Sequence, residues 1–219
     1  ALQAAMLANT AINTQRETFR EADVIRVHGI ISNGGASVNA IPGEVIYDGR
    51  VRAKSIEALE PIAEKVIRCY RAGALAVGAS VEVQSIAGYH GLVQDPTMQK
   101  LFIENAKLVL GRDSISVVGA SQTHGGSTDM GDLSKIMPVI HPYANSASGV
   151  GHGHDYLIED YEIAVVAPAK VMTATVLDLL GNDAQVAREL LAKSNPAMTA
   201  EQYISVQRSR FKTELFEPS

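Results

Sequence analysis

Apolar positions recur along the chain with two different periods, and the points where the period changes mark out the elements. Residues 2–19 are rich in Ala and Leu, contain neither Gly nor Pro, and predict a helix. Over residues 24–31 the period drops to two: Ile25, Val27 and Ile31 fall on one side, Arg26 and His28 on the other, which predicts a strand. Residues 32–37 form a turn-forming loop. A second strand follows over about 44–53, with Val45, Tyr47 and Val51 opposed to Asp48, Arg50 and Arg52. Helical spacing returns over about 55–72, where Ile56, Leu59, Ile62, Ala63, Val66 and Tyr70 make one apolar face, with Gly73 at or just beyond the end. Val81, Val83 and Ala87 then alternate with Glu82 and Gln84 as a further strand.

The order to this point is helix, strand, strand, helix, strand. Each strand has one apolar and one polar face, so both helices should cover the same side of an antiparallel sheet and leave the other side wet. That is an α+β sandwich short of one strand at its start.

Beyond Asp95-Pro96 the pattern changes. A helix over about 96–110 leads to short apolar stretches at 115–118 and 139–140, read as strands, on either side of a Gly-rich loop. Helices are expected over about 168–180, 184–193 and 200–212. Thr199 and Gln202 are spaced for a capping box, after the turn made by Asn195-Pro196. Short strands alternating with helices imply a mostly parallel α/β sheet, so a domain boundary is expected near residue 92.

Composition narrows the function classes. The chain has 219 residues, is 46% hydrophobic and carries a net charge of −5, enough for a substantial core and without the basic footprint of a nucleic-acid binder. No uninterrupted apolar run approaches the roughly 18 to 20 residues of a membrane span, and the first residues lack the basic head of a secretory signal. The single cysteine, Cys69, shares a stripe with Leu59, Ile62 and Val66 and is expected to be a core thiol, as in a reducing, cytoplasmic compartment.

The chemistry-bearing residues gather in loops. Gly126-Ser127-Thr128-Asp129-Met130 is followed by Ile140-His141-Pro142 and then by Gly151-His152-Gly153-His154-Asp155. There is no P-loop, no His-Glu-x-x-His, no Cys-x-x-Cys, and no Gly-x-Ser-x-Gly elbow around Ser121, Ser127 or Ser148. Gly149-x-Gly151 lacks the third glycine of a dinucleotide loop. His152 and His154 supply two imidazoles at a spacing a metal can use, and equally fit a Gly/His surface loop. Asp129 fits a pocket role or a helix cap, and His141 a pocket role or a satisfied, partly buried histidine.

Together these motifs resemble a known family. Arg26-Val27-His28-Gly29-Ile30-Ile31, Gly34-Gly35, Asn39-Ala40-Ile41-Pro42 and Arg50-Val51-Arg52-Ala53 resemble the lid or dimerisation domain of the dinuclear-zinc aminoacylases and carboxypeptidases. Residues 126–134, continuing to Pro138-Val139-Ile140-His141-Pro142, look like the amidohydrolase branch that includes aminobenzoyl-glutamate hydrolase. The resemblance implies a ferredoxin-like α+β lid over 1–92, lacking its first strand, and the C-terminal part of a mostly parallel α/β zinc-peptidase catalytic domain over 93–219. It implies hydrolysis of an amide bond in an N-acyl amino acid or dipeptide-like substrate, a zinc or similar divalent pair, and a homodimer formed through the lid, with no nucleic-acid or membrane partner.

Carried over by position, His154 matches the family's final zinc ligand, with His152 as the fallback. Asn39 resembles an asparagine that holds the substrate carboxylate or oxyanion. Arg52 matches a lid arginine suited to a carboxylate, and also fits a solvated strand position. Ser127, Thr128, Asp129 and His141 would line the pocket. The family's His-x-Asp, its Glu pair with the general base, and a further Asp have no counterpart here, so no catalytic residue is assigned to this chain. The alternatives are an inactive fragment or dimerisation module, and an α/β binding domain for a carboxylated metabolite.

Overall fold

Helix α1 (Leu2–Gln15) tightens into a 3₁₀ turn at Arg16–Thr18, so the helix expected to reach residue 19 ends one turn earlier. The computed structural model describes residues 1–111, 115–118 and 126–218. These fall into two compact units, residues 1–91 together with 204–219, and residues 92–203.

In the first unit, β1 (Arg26–Asn33) and β2 (Ile46–Arg52) form an antiparallel hairpin. The register sets Val27 opposite Val51, Gly29 opposite Gly49 and Ile31 opposite Tyr47 on one face, with Arg26/Arg52, His28/Arg50 and Ile30/Asp48 on the other. The first face meets α1 and α2 (Ile56–Leu75), and Ile12, Val27, Ile62, Val66 and Cys69 make the buried cluster there. Phe19, Ile25, Val51 and Tyr70 pack around it. The Gly29/Gly49 pair makes room for aromatic side chains: a Cβ on Gly49 would stand 2.5 Å from the Tyr70 hydroxyl. A Cβ on Gly29 would stand 2.6 Å from the Tyr47 ring.

Helix α2 starts at a Ser55 cap, whose hydroxyl accepts from the Ala58 amide at 3.3 Å. It runs past Gly73, which was expected at its end. Gly73 is buried where α2 meets α1, and a Cβ there would stand 2.7 Å from the Ala8 amide nitrogen. Its place is fixed by helix contact, not by a chain reversal.

β3 (Val81–Ser85) pairs antiparallel with β6 (Lys212–Phe216), with Val81 opposite Phe216. Helix α6 (Ala200–Ser209) therefore stops short of residue 212, because the next residues alternate and find a strand partner. Its start is as expected: the Thr199 amide donates to Gln202 Oε1 at 2.8 Å and the Gln202 amide to Thr199 Oγ1 at 3.2 Å.

In the second unit, α3 (Pro96–Leu110) is capped by Asp95, which accepts from the Met98 amide at 2.8 Å, with Pro96 at the first position. It packs on α5 (Ala167–Lys193), and buried Asn105 donates to Asp178 across the contact at 2.7 Å. α5 is broken where Asn182, Asp183 and Ala184 take positive φ, so it is two helices, split where Gly181-Asn182-Asp183 divides the apolar pattern. A π-type turn, Glu162–Val166, precedes it.

Taken together, Glu162–Lys193 gives 32 residues long and apolar enough to cross a membrane by length and composition. This corrects the expectation that no such stretch exists. Lys170 and Asp178 interrupt the uninterrupted run, yet the average over the helix stays apolar.

Residues 115–118 and 139–140, expected as strands, are not in strands. A strand needs a partner ladder, and residue 139 has one backbone bond of that kind, its carbonyl accepting from the Asp95 amide at 2.8 Å. The strands described in this unit are β4 (Ala147–Ser148) and β5 (Leu157–Ile158), an antiparallel pair.

Candidate functional site

The Gly-rich loop closes on α4 (Met130–Leu133), a single turn. Gly126 and Ser127 are exposed, and Thr128 is half-buried. The Thr128 hydroxyl accepts from the Met130 amide at 3.3 Å and donates to Asp129 Oδ1 at 3.2 Å. Asp129 stands at the start of α4 but makes no side-chain cap bond, so the capping part passes to Thr128 and the Asp129 carboxylate stays exposed. Ser134 ties the turn down. Its hydroxyl donates to the Gly131 carbonyl at 2.6 Å and accepts from the Val93 amide at 3.2 Å. Ser121 lies outside the described residues.

His141 is half-buried, its amide donating to Gln94 Oε1 at 2.9 Å and its ring standing edge-on to Tyr143 with centroids 5.0 Å apart. Its Nδ1 is buried without a hydrogen-bond partner. A histidine satisfied by its surroundings would pair that nitrogen, so the orphaned nitrogen marks this imidazole as available to a ligand group.

His152 and His154 occupy the loop of the β4–β5 hairpin. Its form comes from local backbone bonds, Gly153 N–H to the Val150 carbonyl at 2.7 Å and Tyr156 N–H to the Gly153 carbonyl at 3.3 Å. Gly149 has φ +82° and packs directly on the Asp155 carbonyl, a place closed to any side chain. His152 takes φ +66°, a region histidine enters more readily than most residues. Both imidazoles are exposed. Among the described residues no three His, Cys, Asp or Glu side chains converge as a metal site requires. The described residues therefore do not by themselves fit a metal pair.

The two lid candidates sit in the first unit. Asn39 is exposed in the β1–β2 connection, and its Oδ1 accepts from the Ser37 hydroxyl. Arg52 is half-buried at the last register position of β2, opposite Arg26. A cavity of about 190 Å³ between α3 and α5 is lined by Thr97, Met98, Leu101, Glu104, Leu179 and Leu190 among others, and none of the predicted site residues lines it. Cys69 is buried in the core, and burial raises its thiol pKa, which argues against a nucleophile.

Sequence reasoning passed over one polar cluster of the first unit. His90 is buried, and its Nε2 lies 3.0 Å from Arg210 Nη1, whose guanidinium also lies 3.7 Å from Glu60. The 120 residues between His90 and Arg210 leave no periodic signal to find it by.

No protein-family model matches the chain. It is 34% identical over 188 residues to the Xaa-Arg dipeptidase of Mus musculus, and equally to the Xaa-Arg dipeptidase of Homo sapiens. The match covers 82% of this chain and 42% of each relative, so the chain spans less than half the length of the curated relatives it matches. Identity at that level over so long a stretch ties the chain by descent to a peptidase family whose matched members are named as dipeptidases.

Proposed function

We propose that the chain is part of a metal-dependent hydrolase of the dinuclear-zinc type, amidohydrolase branch, that cleaves an amide bond in an N-acyl amino acid or dipeptide-like substrate. The observation that carries this reading is the 34% identity over 188 residues to two proteins named as dipeptidases. Residues 1–92 serve as the ferredoxin-like lid and dimerisation domain, and residues 93–219 as the C-terminal part of a mostly parallel α/β catalytic domain. The protein works as a cytoplasmic homodimer joined through the edge of the lid sheet.

When bound, a pair of divalent ions supplies an activated water for attack on the amide carbonyl. This chain contributes one ligand, His154, with His152 as the fallback; both are exposed on the same hairpin loop. Asn39 and Arg52 hold the substrate's carboxylate end or the oxyanion. Ser127, Thr128 and Asp129 form a pocket wall with His141, whose unpartnered Nδ1 is available to a polar substrate group.

A second reading is an inactive fragment, or a dimerisation or ligand-binding module. It is favoured by the absence of three converging metal donors among the described residues. Metal analysis and a dipeptide-hydrolysis assay on this chain separate the two. Stoichiometric zinc with turnover sinks the second reading, whereas neither metal nor turnover removes the first for the chain as it stands. In an active form, His154→Ala should abolish turnover and lower the metal content. If His152→Ala does so instead, the ligand is His152.

A further inference from the structure

The polar face of the β1–β2 hairpin places like charges directly opposite each other. Arg26 faces Arg52, and His28 faces Arg50 at the next position on that face. Opposed side chains in such a ladder have Cβ atoms about 5 Å apart, and like charges there destabilise the pairing. The chain as a whole has net charge −5, so this is a local concentration of positive charge against the general balance. Among the ladder residues the one carboxylate on this face is Asp48, at the third position, opposite Ile30. Arg26, His28 and Arg50 are exposed, and Ile30 is 66% exposed. The other face is occupied by the α1–α2 core, which fixes these side chains outward.

We propose that this face docks an extended acidic peptide segment of a partner protein, with carboxylates at alternate residues and an apolar residue two positions further on. An extended peptide repeats its side-chain direction every two residues, about 7 Å, which is the spacing of the Arg26/Arg52 and His28/Arg50 pairs along the strands. The first carboxylate lies over Arg26 and Arg52, the second over His28 and Arg50, and the apolar side chain over Ile30. Guanidinium groups suit carboxylates through paired N–H donors. Asp48 repels a third anionic group, which disfavours a uniform polyanion such as a nucleic-acid strand or an anionic membrane. The face also lacks the aromatic side chains on which bases stack. A second copy of the chain would present the same positive face and repel it.

The test is fluorescence anisotropy on the full chain at physiological salt, with two labelled peptides of equal composition. One carries Asp-Ser-Asp-Ser-Leu, the other Asp-Asp-Ser-Ser-Leu. The alternating peptide should bind at least five-fold more tightly, and Arg26→Gln and Arg50→Gln should each weaken it about five-fold. Arg188→Gln, a charge removal in the second unit, should leave it unchanged. Equal binding of the two peptides, or equal losses from Arg188→Gln and Arg50→Gln, overturns the proposal. So does displacement of the peptide by a single-stranded oligonucleotide or anionic vesicles at lower concentration than unlabelled peptide. Circular dichroism of each variant distinguishes lost binding from lost fold.

Discussion

Arg210 Nη1 lies 3.0 Å from Nε2 of buried His90, and because a guanidinium can only donate, Nε2 accepts and the imidazole carries its proton on Nδ1. The contact pins the α6–β6 junction to the segment after β3, beside the β3–β6 ladder and the Arg71 guanidinium 4.1 Å from the Phe216 ring. Replacing Arg210 with Met should cost about 1–3 kcal/mol, the range for leaving a buried acceptor without its charged donor. The urea midpoint should fall, and amides of Lys212–Phe216 should exchange faster with solvent than those of β1 and β2. Uniform loss of protection would show that Arg210 has no special hold on β6.

Gly73 makes a second, steric prediction. A Cβ there would stand 2.7 Å from the Ala8 nitrogen and 2.9 Å from the Ala8 Cβ, and both helices are packed on the core. Gly73→Val should destabilise by about 1–3 kcal/mol or more through overpacking, outweighing any gain in helix propensity. Gly78, which also carries positive φ but has open space around it, provides a contrasting site at which only backbone strain acts. An increase in melting temperature for Gly73→Val would refute the close helix contact.

Tyr70 should titrate late. Burial, reinforced by Tyr47 and Cys69, pushes its phenol up to about 12 from the usual 10. The neutral form is thus favoured in the folded state. The stability it contributes is fully present below pH 10 and is lost as pH rises from about 10 through 12. In an ultraviolet phenolate titration one tyrosine of the seven should ionise well after the rest, and Tyr70→Phe should delete that step.

Cys69 should resist thiol reagents. Its thiol is buried and burial raises its pKa, with Arg68 pulling weakly the other way. In the native protein a disulfide reagent should react orders of magnitude more slowly than with free cysteine, at a rate set by opening of the α2 core. Reaction at the free-cysteine rate would place the thiol at the surface.

The sequence by itself determined what local periodicity and capping control. The two strands of the first hairpin, the face of α2, the Asp95-Pro96 start of α3, the break at Gly181 and the Thr199/Gln202 cap follow from residues within a few positions of one another. Tertiary structure decided what depends on distant partners. β6 exists because β3 offers it a ladder, Gly73 is a contact point because α1 lies against it, and residues 115–118 and 139–140 are not strands because they find no ladder. The site divides in the same way. Its loops were legible as clusters of Gly, Asp and His, but the orphaned Nδ1 of His141, the shift of capping from Asp129 to Thr128 and the opposed arginines of the hairpin arise from contacts and register that no single stretch of sequence encodes.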